Sequence, residues 1–203
     1  MSFSHYFNPG NDLKSDLREI EFYYTPPGGE SRRFCFVTDS GVFSKTQVDE
    51  ATALLLAQLP VLSVDVLDIG CGYGCIGIVL AKTQNIYVTM SDINNRAVEL
   101  AQKNAEKNNI NADIIKSDGF ENISSNFDNI ILNPPIHAGK PAIYKIYEEA
   151  YNHLNPDGRF FIIIQKKHGA LSHKEKLEEI FGKENCFVLY SKKGFFVFEF
   201  KKI

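Results

Sequence analysis

The chain has 203 residues, and its 22 lysines and arginines against 25 aspartates and glutamates give a formal net charge of −3. Hydrophobic residues make up 44% and charged residues 23% of the chain, which is typical of a folded domain and excludes disordered, collagen-like and acidic-tail proteins. The length predicts one domain with a small annex. Because the charge is nearly neutral, any contact with RNA or DNA must come from a local basic patch.

Membrane insertion and metal binding are not indicated. The chain has no run of roughly 18 to 20 apolar residues, and its opening residues lack the pattern of a secretory leader, so we expect a cytoplasmic protein with no membrane contact. The cysteines form no CxxC pair and have no histidine at ligand spacing, which predicts reduced thiols with neither a zinc site nor a disulfide framework. They are Cys35, Cys71, Cys75 and Cys186.

Residues 1–43 are predicted to form an N-terminal annex, and residues 44–203 the main domain. In the annex, EIEFYYTP and RRFCFVTD flank the turn-rich PPGGES, which predicts a β-hairpin beginning near Glu19. From Ser44 the period changes to three and four residues, which predicts a helix with Ser44 as its N-cap. The residues of this helical period are Val48, Ala51, Thr52, Leu55 and Leu59.

After Pro60 the sequence alternates short apolar runs with helical stretches, as expected for a parallel sheet built from βαβ units. Strands such as 130–132 and 160–164 are apolar at every position, which indicates a sheet covered on both faces. The predicted fold class is α/β, a Rossmann-like three-layer sandwich. The strands are VDVLDI, IYVTM, ADIIK, NIILN and RFFIII, and the helical stripes are Ala97, Leu100, Ala101, Ala105 and Ile143, Ile146, Tyr147, Ala150, Leu154.

The end of the chain departs from this alternation. Ser172 and Glu175 have the spacing of a capping box, which predicts a short helix ending near Phe181. CFVLYS and GFFVFEF follow and are separated by only Lys192 and Lys193, so these two strands must be antiparallel. The mostly parallel sheet should therefore end in an antiparallel hairpin at one edge.

The most informative segment is Asp68-Ile69-Gly70-Cys71-Gly72-Tyr73-Gly74, which lies between the first core strand and a helix beginning near Cys75. Alternating glycines allow a tight turn and close approach of a ligand, and the helix presents its positive N-terminal end. Asp92, at the end of the next strand, would accept hydrogen bonds from both hydroxyls of a ribose, and Asp118 follows the third strand, near where an adenine would lie. These features predict a nucleotide-type cofactor.

Two cofactors compete for this loop. Gly72, Gly74 and Gly77 fit the GxGxxG pattern, so an NAD-dependent oxidoreductase is an alternative. Asp68 favours S-adenosylmethionine, because a carboxylate could hold the amino group of that cofactor but would repel the pyrophosphate of NAD. We also find no convincing histidine or tyrosine acid for hydride chemistry.

The second informative segment is Asn133-Pro134-Pro135-Ile136, which directly follows the fourth core strand and should face the same crevice. A residue that precedes proline is restricted to extended conformations, so the Asn133 side-chain oxygen and the Pro134 carbonyl should form two fixed acceptors. Such a pair suits a planar –NH2 group whose lone pair is delocalised. No strong general base is needed, because positioning supplies most of the rate and the proton can leave after attack.

DIGCGYG, MSDIN and NPPI resemble the motifs of class I S-adenosylmethionine-dependent methyltransferases that methylate nitrogen. SGVFS, at residues 40–44, is similar to the segment before the core in small-subunit (16S) ribosomal RNA guanine-N2 methyltransferases, and the resemblance runs from about Thr38 to the end of the chain, including the single-domain branch of that family. It implies S-adenosylmethionine as cofactor, guanine N2 as acceptor, and ribosomal RNA or the small ribosomal subunit as partner.

The resemblance also implies roles for individual positions. The catalytic residues would be Asn133, Pro134, Pro135 and Ile136. The cofactor-binding residues would be Phe43, Ser44, Asp68, Gly70, Cys71, Gly72, Gly74, Asp92, Ile93, Asp118, Gly119 and Asn133. Candidate phosphate contacts are Lys140, Lys166, Lys167 and His168 on the cofactor side of the sheet and Arg32 and Arg33 on the annex, whereas His137 is interpreted as pocket wall and Tyr73 as loop filler.

Other acceptors and another class of function stay open. Adenine N6 of a nucleic acid, or a glutamine side-chain amide of a protein, could replace guanine N2. A non-catalytic RNA-binding relative would keep the fold and hold the cofactor as a structural ligand, although the intact Asn133 argues against it. A homodimer that completes the substrate site is also open.

Overall fold

A computed structural model describes residues 14–62 and 65–203. The first thirteen residues of the predicted annex, and Val64 at the start of the predicted VDVLDI strand, lie outside the described residues. Within the described ranges, no helix combines the length and the apolar character that crossing a bilayer requires.

The described chain forms a two-stranded hairpin followed by an α/β core. The hairpin consists of β1 (Arg18–Tyr24) and β2 (Arg32–Thr38). The core comprises α1 (Glu50–Gln58), β3 (Val66–Ile69), α2 (Cys75–Gln84), β4 (Val88–Asp92), α3 (Asn95–Lys107), β5 (Asp113–Lys116), β6 (Phe127–Leu132), α4 (Lys140–Asn152), β7 (Leu154–Gln165), α5 (Ala170–Phe181), β8 (Cys186–Lys192) and β9 (Phe195–Lys201).

The core sheet has the strand order β5-β4-β3-β6-β7-β9-β8. The strands from β5 to β7 are parallel, and β9 runs antiparallel to both of its neighbours, β7 and β8. The chain winds outward from β3 in both directions, so a crevice opens between the carboxyl ends of β3 and β6. The predicted parallel sheet with an antiparallel hairpin at one edge is confirmed.

Helices cover both faces of this sheet, and the central strands β3 and β4 are accordingly buried at every position. Leu55, Val79 and Leu100, from α1, α2 and α3, belong to one hydrophobic cluster. Tyr147 and Leu177, from α4 and α5, belong to a second cluster on the other face. The three-layer sandwich predicted from the sequence is therefore confirmed.

Two predicted helix starts are wrong. The first helix begins at Glu50 rather than near Ser44, because the Asp49 carboxylate caps it by accepting from the backbone N–H groups of Ala51 and Thr52. Ser44 instead lies in the preceding loop with φ 58° and donates its hydroxyl hydrogen to the Gln47 carbonyl.

The second wrong start is that of α5, which begins at Ala170 after an N-cap at Gly169. Gly169 has φ 84°, a left-handed conformation that ends the preceding turn, and Ser172 lies inside the helix and donates to the Gly169 carbonyl. Leu154, predicted as the end of the α4 stripe, is the first residue of β7, although it is buried in the same cluster.

The hairpin packs on α3 through two asparagines one helical turn apart. Asn104 accepts from the Val37 N–H at 2.6 Å and donates to the Val37 carbonyl at 3.0 Å. Asn108 donates to the Cys35 carbonyl at 2.9 Å. The two amides thus form hydrogen bonds with the backbone of β2, as a neighbouring strand would. The division of the chain at residue 43 stays a prediction.

Candidate functional site

A cavity of about 890 Å³ opens at the carboxyl ends of the parallel strands. Its volume lies in the upper part of the range of about 300–1,000 Å³ that is typical of small-molecule sites. The walls come from the loop after β3, the ends of β4 to β7, α1 and α4. The predicted residues Phe43, Gly70, Cys71, Gly72, Asp92, Ile93, Asp118, Gly119, Asn133, Pro134, Pro135 and Ile136 line the cavity, and so do His137 and His168.

The three alternating glycines of the loop divide into two kinds. Gly70 and Gly72 have φ of 70° and 58°, and a Cβ added at Gly72 would meet no atom of the described residues within 4 Å. The loop backbone therefore faces open space in the cavity, where a ligand can approach it closely. Gly74 instead packs inward, because its added Cβ would lie 3.1 Å from Ile78 Cδ1 and 3.2 Å from Ala101 Cβ.

Asp92 joins the loop to the end of β4. Its carboxylate accepts from the Gly72 N–H and from the Asn94 N–H, each at 2.9 Å. These bonds fix both the carboxylate and the loop before any ligand arrives. Asp118 lies further along the cavity wall and is exposed. The predicted contacts of Asp92 with a ribose and of Asp118 with an adenine stay predictions.

Asp68 lies beneath the loop, where it is only 1% exposed, and its carboxylate accepts from the Gly77 N–H at 2.9 Å. Burial raises the pKa of this carboxyl to about 7; the Gly77 N–H opposes the rise and the charge of Asp92 adds to it. The hydrogen bond of Asp68 therefore connects β3 to the start of α2. Its contact with the amino group of a ligand stays a prediction.

The Asn-Pro-Pro-Ile segment lies at the end of β6 and lines the same cavity. Asn133 donates through Nδ2 to the Thr52 hydroxyl oxygen of α1 at 3.0 Å. The Pro135 carbonyl accepts from the Ala138 N–H at 2.9 Å and starts a single turn of 3-10 helix. The segment is therefore held from two sides, by α1 and by its own turn.

The basic residues fall into two groups. Lys140, Lys166 and Lys167 lie beside the cavity residues His137 and His168, and Lys140 donates to the Ser172 hydroxyl at 2.8 Å. Burial, together with the charge of Lys167 and the proximity of His137, lowers the pKa of His168.

Arg32 and Arg33 lie elsewhere. Arg32 donates to the Lys82 carbonyl at 2.7 Å, and Arg33 pairs with Glu21 at 2.7 Å. Lys82 belongs to the last turn of α2, whose first turn faces the cavity. These arginines therefore lie at the opposite end of the sheet, and the structure does not bring them to the site.

Several cavity residues were missed in the sequence. Thr52 continued an apolar stripe and therefore resembled a core position, and Tyr73, interpreted as loop filler, lines the cavity with its ring centroid 5.6 Å from that of Phe36. One side of α4 also faces the cavity, and helical spacing after the Asn-Pro-Pro-Ile segment could have indicated it. The further lining residues include Asp49, Ser117, Ala142, Lys145, Ile146, Glu149 and Gln165.

Glu149 stands out among the missed residues. Its Oε1 lies 3.6 Å from the Lys145 Nζ, whereas its Oε2 is buried with no hydrogen-bond partner among the described residues. The unpaired oxygen lies close to Gly119, in the part of the cavity that contains Asp118.

Two of the cysteines line the cavity, and both are buried. Burial and the charge of Asp68 raise the pKa of the Cys71 and Cys75 thiols well above the usual range, so both stay neutral. Within residues 14–62 and 65–203, no cluster of three or more histidine, cysteine or acidic side chains could hold a metal ion.

The chain is similar to several known proteins. The family model described as methyltransferase small domain matches residues 33–199. The uncharacterized protein YbxB of Bacillus subtilis is 41% identical over 98% of both chains. Ribosomal RNA small subunit methyltransferase C of Shewanella pealeana is 37% identical over 150 residues, which are 71% of this chain and 43% of that protein.

A solved structure gives the same result. The Thermus thermophilus 16S rRNA N2 G1207 methyltransferase, RsmC, in complex with AdoMet and guanosine, superposes with a TM-score of 0.79 and 29% identity over 91% of this chain and 51% of its own. The chain thus spans about half the length of these ribosomal RNA methyltransferases. With the family model matching most of its length, the chain belongs to the methyltransferase small domain family.

Proposed function

We propose that this protein transfers a methyl group from S-adenosylmethionine to guanine N2 of small-subunit ribosomal RNA. The observation that carries the proposal is the placement of the Asn-Pro-Pro-Ile segment and the glycine loop on one cavity. Family membership makes the protein a methyltransferase and removes the NAD-dependent oxidoreductase alternative. The guanine acceptor rests on the relatives, whose names specify small-subunit ribosomal RNA and guanine N2.

The cofactor half of the cavity fits S-adenosylmethionine. The open space in front of Gly72 admits a ligand against the loop backbone, and Asp92 offers carboxylate oxygens where the ribose hydroxyls would lie. Asp118, which lines the cavity, would accept from the adenine amine, and Phe43 provides an exposed aromatic ring at the wall. When bound, the cofactor supplies a methyl group on a positively charged sulfur.

The acceptor half fits a planar amine. The Asn133 Oδ1 and the Pro134 carbonyl would accept its two N–H hydrogens and thereby fix the orientation of the nitrogen. Accepting both hydrogen bonds raises the electron density on that nitrogen, and positioning supplies most of the rate. Neither acceptor acts as a general base, and no base is required. Methylation makes the N–H of the positively charged product amine acidic, so its proton is released to water.

The rim of the cavity fits a nucleic-acid strand. Lys140, Lys166 and Lys167 would contact phosphates on either side of a base that has been turned out of its stack into the cavity. The bond from Lys140 to Ser172 links the turn after Asn-Pro-Pro-Ile to the first turn of α5, so the rim is held together. A local patch of this kind is compatible with the net charge of −3.

Methyl transfer from labelled S-adenosylmethionine tests the proposal, with small ribosomal subunits, naked 16S RNA and a glutamine-containing peptide as acceptors. We expect label in the RNA and N2-methylguanosine after digestion to nucleosides. N6-methyladenosine, or label in the peptide alone, would contradict the guanine assignment. Transfer to none of these acceptors, with S-adenosylhomocysteine still binding in calorimetry, would favour the non-catalytic alternative.

Asn133→Ala provides the matched test of the site. We expect turnover to fall by about 100-fold or more, the scale seen when one fixed hydrogen-bonding group of a transition state is removed. The affinity for S-adenosylhomocysteine should stay within about threefold, because Asn133 lies on the acceptor side. Equal losses of turnover and affinity would contradict the role of Asn133.

A further inference from the structure

We infer that Thr52 is a positioning residue for methyl transfer, because its hydroxyl holds the Asn133 amide in the orientation that presents an oxygen to the acceptor amine. This inference deepens the proposed function and rests on it for the identity of the acceptor. The orientation of the amide does not depend on that identity, so the two can be tested separately.

The contact that carries the inference is the 3.0 Å hydrogen bond from Asn133 Nδ2 to Thr52 Oγ1. Thr52 is only 7% exposed, and both residues line the cavity. An asparagine amide has a donor end and an acceptor end, and its terminal torsion is only loosely restrained by its own chain. With Nδ2 bound to Thr52, Oδ1 is the end left to face the amine.

The opposite orientation would prevent binding of the amine in the required way. If Nδ2 faced the cavity, its N–H groups would meet the N–H groups of the acceptor, and one of the two fixed acceptors would be lost. The prolines that follow Asn133 restrict its backbone and leave the terminal torsion free. A partner outside the segment is therefore needed, and in this structure the Thr52 hydroxyl oxygen accepts from the Nδ2 end of the amide.

The structure fixes Thr52 from the other side. It is the third residue of α1, and the Asp49 carboxylate caps that turn by accepting from the N–H groups of Ala51 and Thr52 at 3.0 and 3.2 Å. Threonine is β-branched, so a helical backbone restricts its χ1 to two rotamers. The hairpin adds a further anchor, because the Tyr24 hydroxyl donates to the Leu56 carbonyl of α1 at 3.1 Å.

The test compares three variants of Thr52 and one control variant with the wild type. Thr52→Val removes the hydroxyl and keeps the branched shape, and Thr52→Ser restores the hydroxyl; Thr52→Ala is a second deletion in case the valine variant does not fold. Thr83→Val is the matched control, because Thr83 is also a helical threonine with a hydroxyl bond, to the Val79 carbonyl at 2.7 Å, and does not line the cavity.

Two readouts are measured. The first is hydrogen exchange of the Asn133 side-chain amide in NMR spectra, with its signals assigned by their loss in Asn133→Asp. The second is the separation of kcat from KM in methyl transfer. We expect Thr52→Val to lose exchange protection and about tenfold or more in kcat, with S-adenosylhomocysteine affinity within about threefold, whereas Thr52→Ser and Thr83→Val should keep protection and stay within about threefold in kcat.

The outcomes separate the two claims. If the wild type methylates no guanine N2 but Thr52→Val still loses amide protection, the proposed function fails and the positioning role stands. If the amide is equally protected in Thr52→Val and the wild type, the positioning role is overturned whatever the acceptor. It is also overturned if an active wild type and Thr52→Val have the same kcat.

Discussion

Replacing Asp68 by asparagine should change how the stability of the protein depends on pH. The Asp68 carboxyl is 1% exposed, and burial, opposed by the Gly77 N–H and assisted by Asp92, raises its pKa to about 7. A carboxyl whose folded-state pKa lies above its unfolded value of 3.8 contributes its full stability below pH 3.8 and loses it as the pH rises through about 7. Asparagine does not titrate, so the variant lacks this loss.

The size of the effect follows from the pKa. A rise from 3.8 to about 7 corresponds to about 4 kcal/mol at 1.36 kcal/mol per unit of pH, and about 3 kcal/mol of it falls between pH 5 and pH 7. Any difference in fit between the asparagine amide and the protonated carboxyl is the same at every pH. The free energy of unfolding of Asp68→Asn minus that of the wild type should therefore rise by about 3 kcal/mol from pH 5 to pH 8.

Urea unfolding at half-unit steps from pH 5 to pH 8.5 measures this difference. Asp39→Asn is the matched control: burial acts against the lowering, but bonds from the Asp16 N–H, Ser15 and Ser40 and the charge of Arg96 lower the pKa of the Asp39 carboxyl. The contribution of Asp39 is then lost only below pH 3.8, outside the measured range. Parallel stability curves for Asp68→Asn and the wild type would refute the assigned protonation of Asp68.

Two further substitutions test the loop and its support. Gly72→Ala should lower the free energy of unfolding by about 1–2 kcal/mol because φ is 58°. It should also weaken S-adenosylhomocysteine binding about tenfold or more, because the methyl group fills open space in the cavity. The control Gly28→Ala, with φ 69° in the hairpin turn, should show the same destabilisation and unchanged binding. Asn104→Ala should lower the free energy of unfolding in urea by about 3 kcal/mol, since the buried backbone groups of Val37 and Tyr73 lose their hydrogen-bond partner. It should also weaken S-adenosylhomocysteine binding, because Tyr73 belongs to the glycine loop. The control Asn108→Ala should cost about 1 kcal/mol and leave binding unchanged. Equal binding in Gly72→Ala and Gly28→Ala, or in the two asparagine variants, would contradict these roles.

The sheet could be predicted because its sequence signals are redundant. Runs such as residues 130–132 are apolar at every position, and the helices between them carry regular stripes, so period and burial both indicate the same element. The Gly and Asn-Pro-Pro segments follow strands, and strand ends in an open α/β sheet meet at one edge. This topological rule predicts that Gly72, Asp92 and Asn133 lie at one cavity, and all three line it.

The helix starts were harder to predict, because more than one residue near each start could act as the N-cap. Ser44 and Asp49 both precede an apolar stripe, and which of them accepts the first N–H groups depends on where the loop from β2 delivers the chain. At α5, the left-handed Gly169 determines the start, and Ser172 makes a bond inside the first turn. Local capping patterns do not contain this information about the incoming chain.

The part of the site outside the sheet could not be predicted from the sequence either. Thr52 occupies a helical position in an otherwise apolar stripe, and only the three-dimensional approach of α1 to the end of β6 brings its hydroxyl to Asn133. Arg32 and Arg33 show the opposite case, since charge alone indicated phosphate binding and the fold places them at the far end of α2. In both cases a tertiary contact decides the role.

The supporting contacts form a chain that starts in the hairpin and ends at residues that line the cavity. Tyr24 anchors α1, α1 carries Thr52, and Thr52 orients Asn133. A second route runs from Val37 through Asn104 to the Tyr73 carbonyl in the glycine loop. Because one route reaches the acceptor half and the other the cofactor half, the hairpin is built into both parts of the site. A hairpin that served only to bind RNA would need neither connection, and loosening it should impair cofactor binding even in the absence of any RNA.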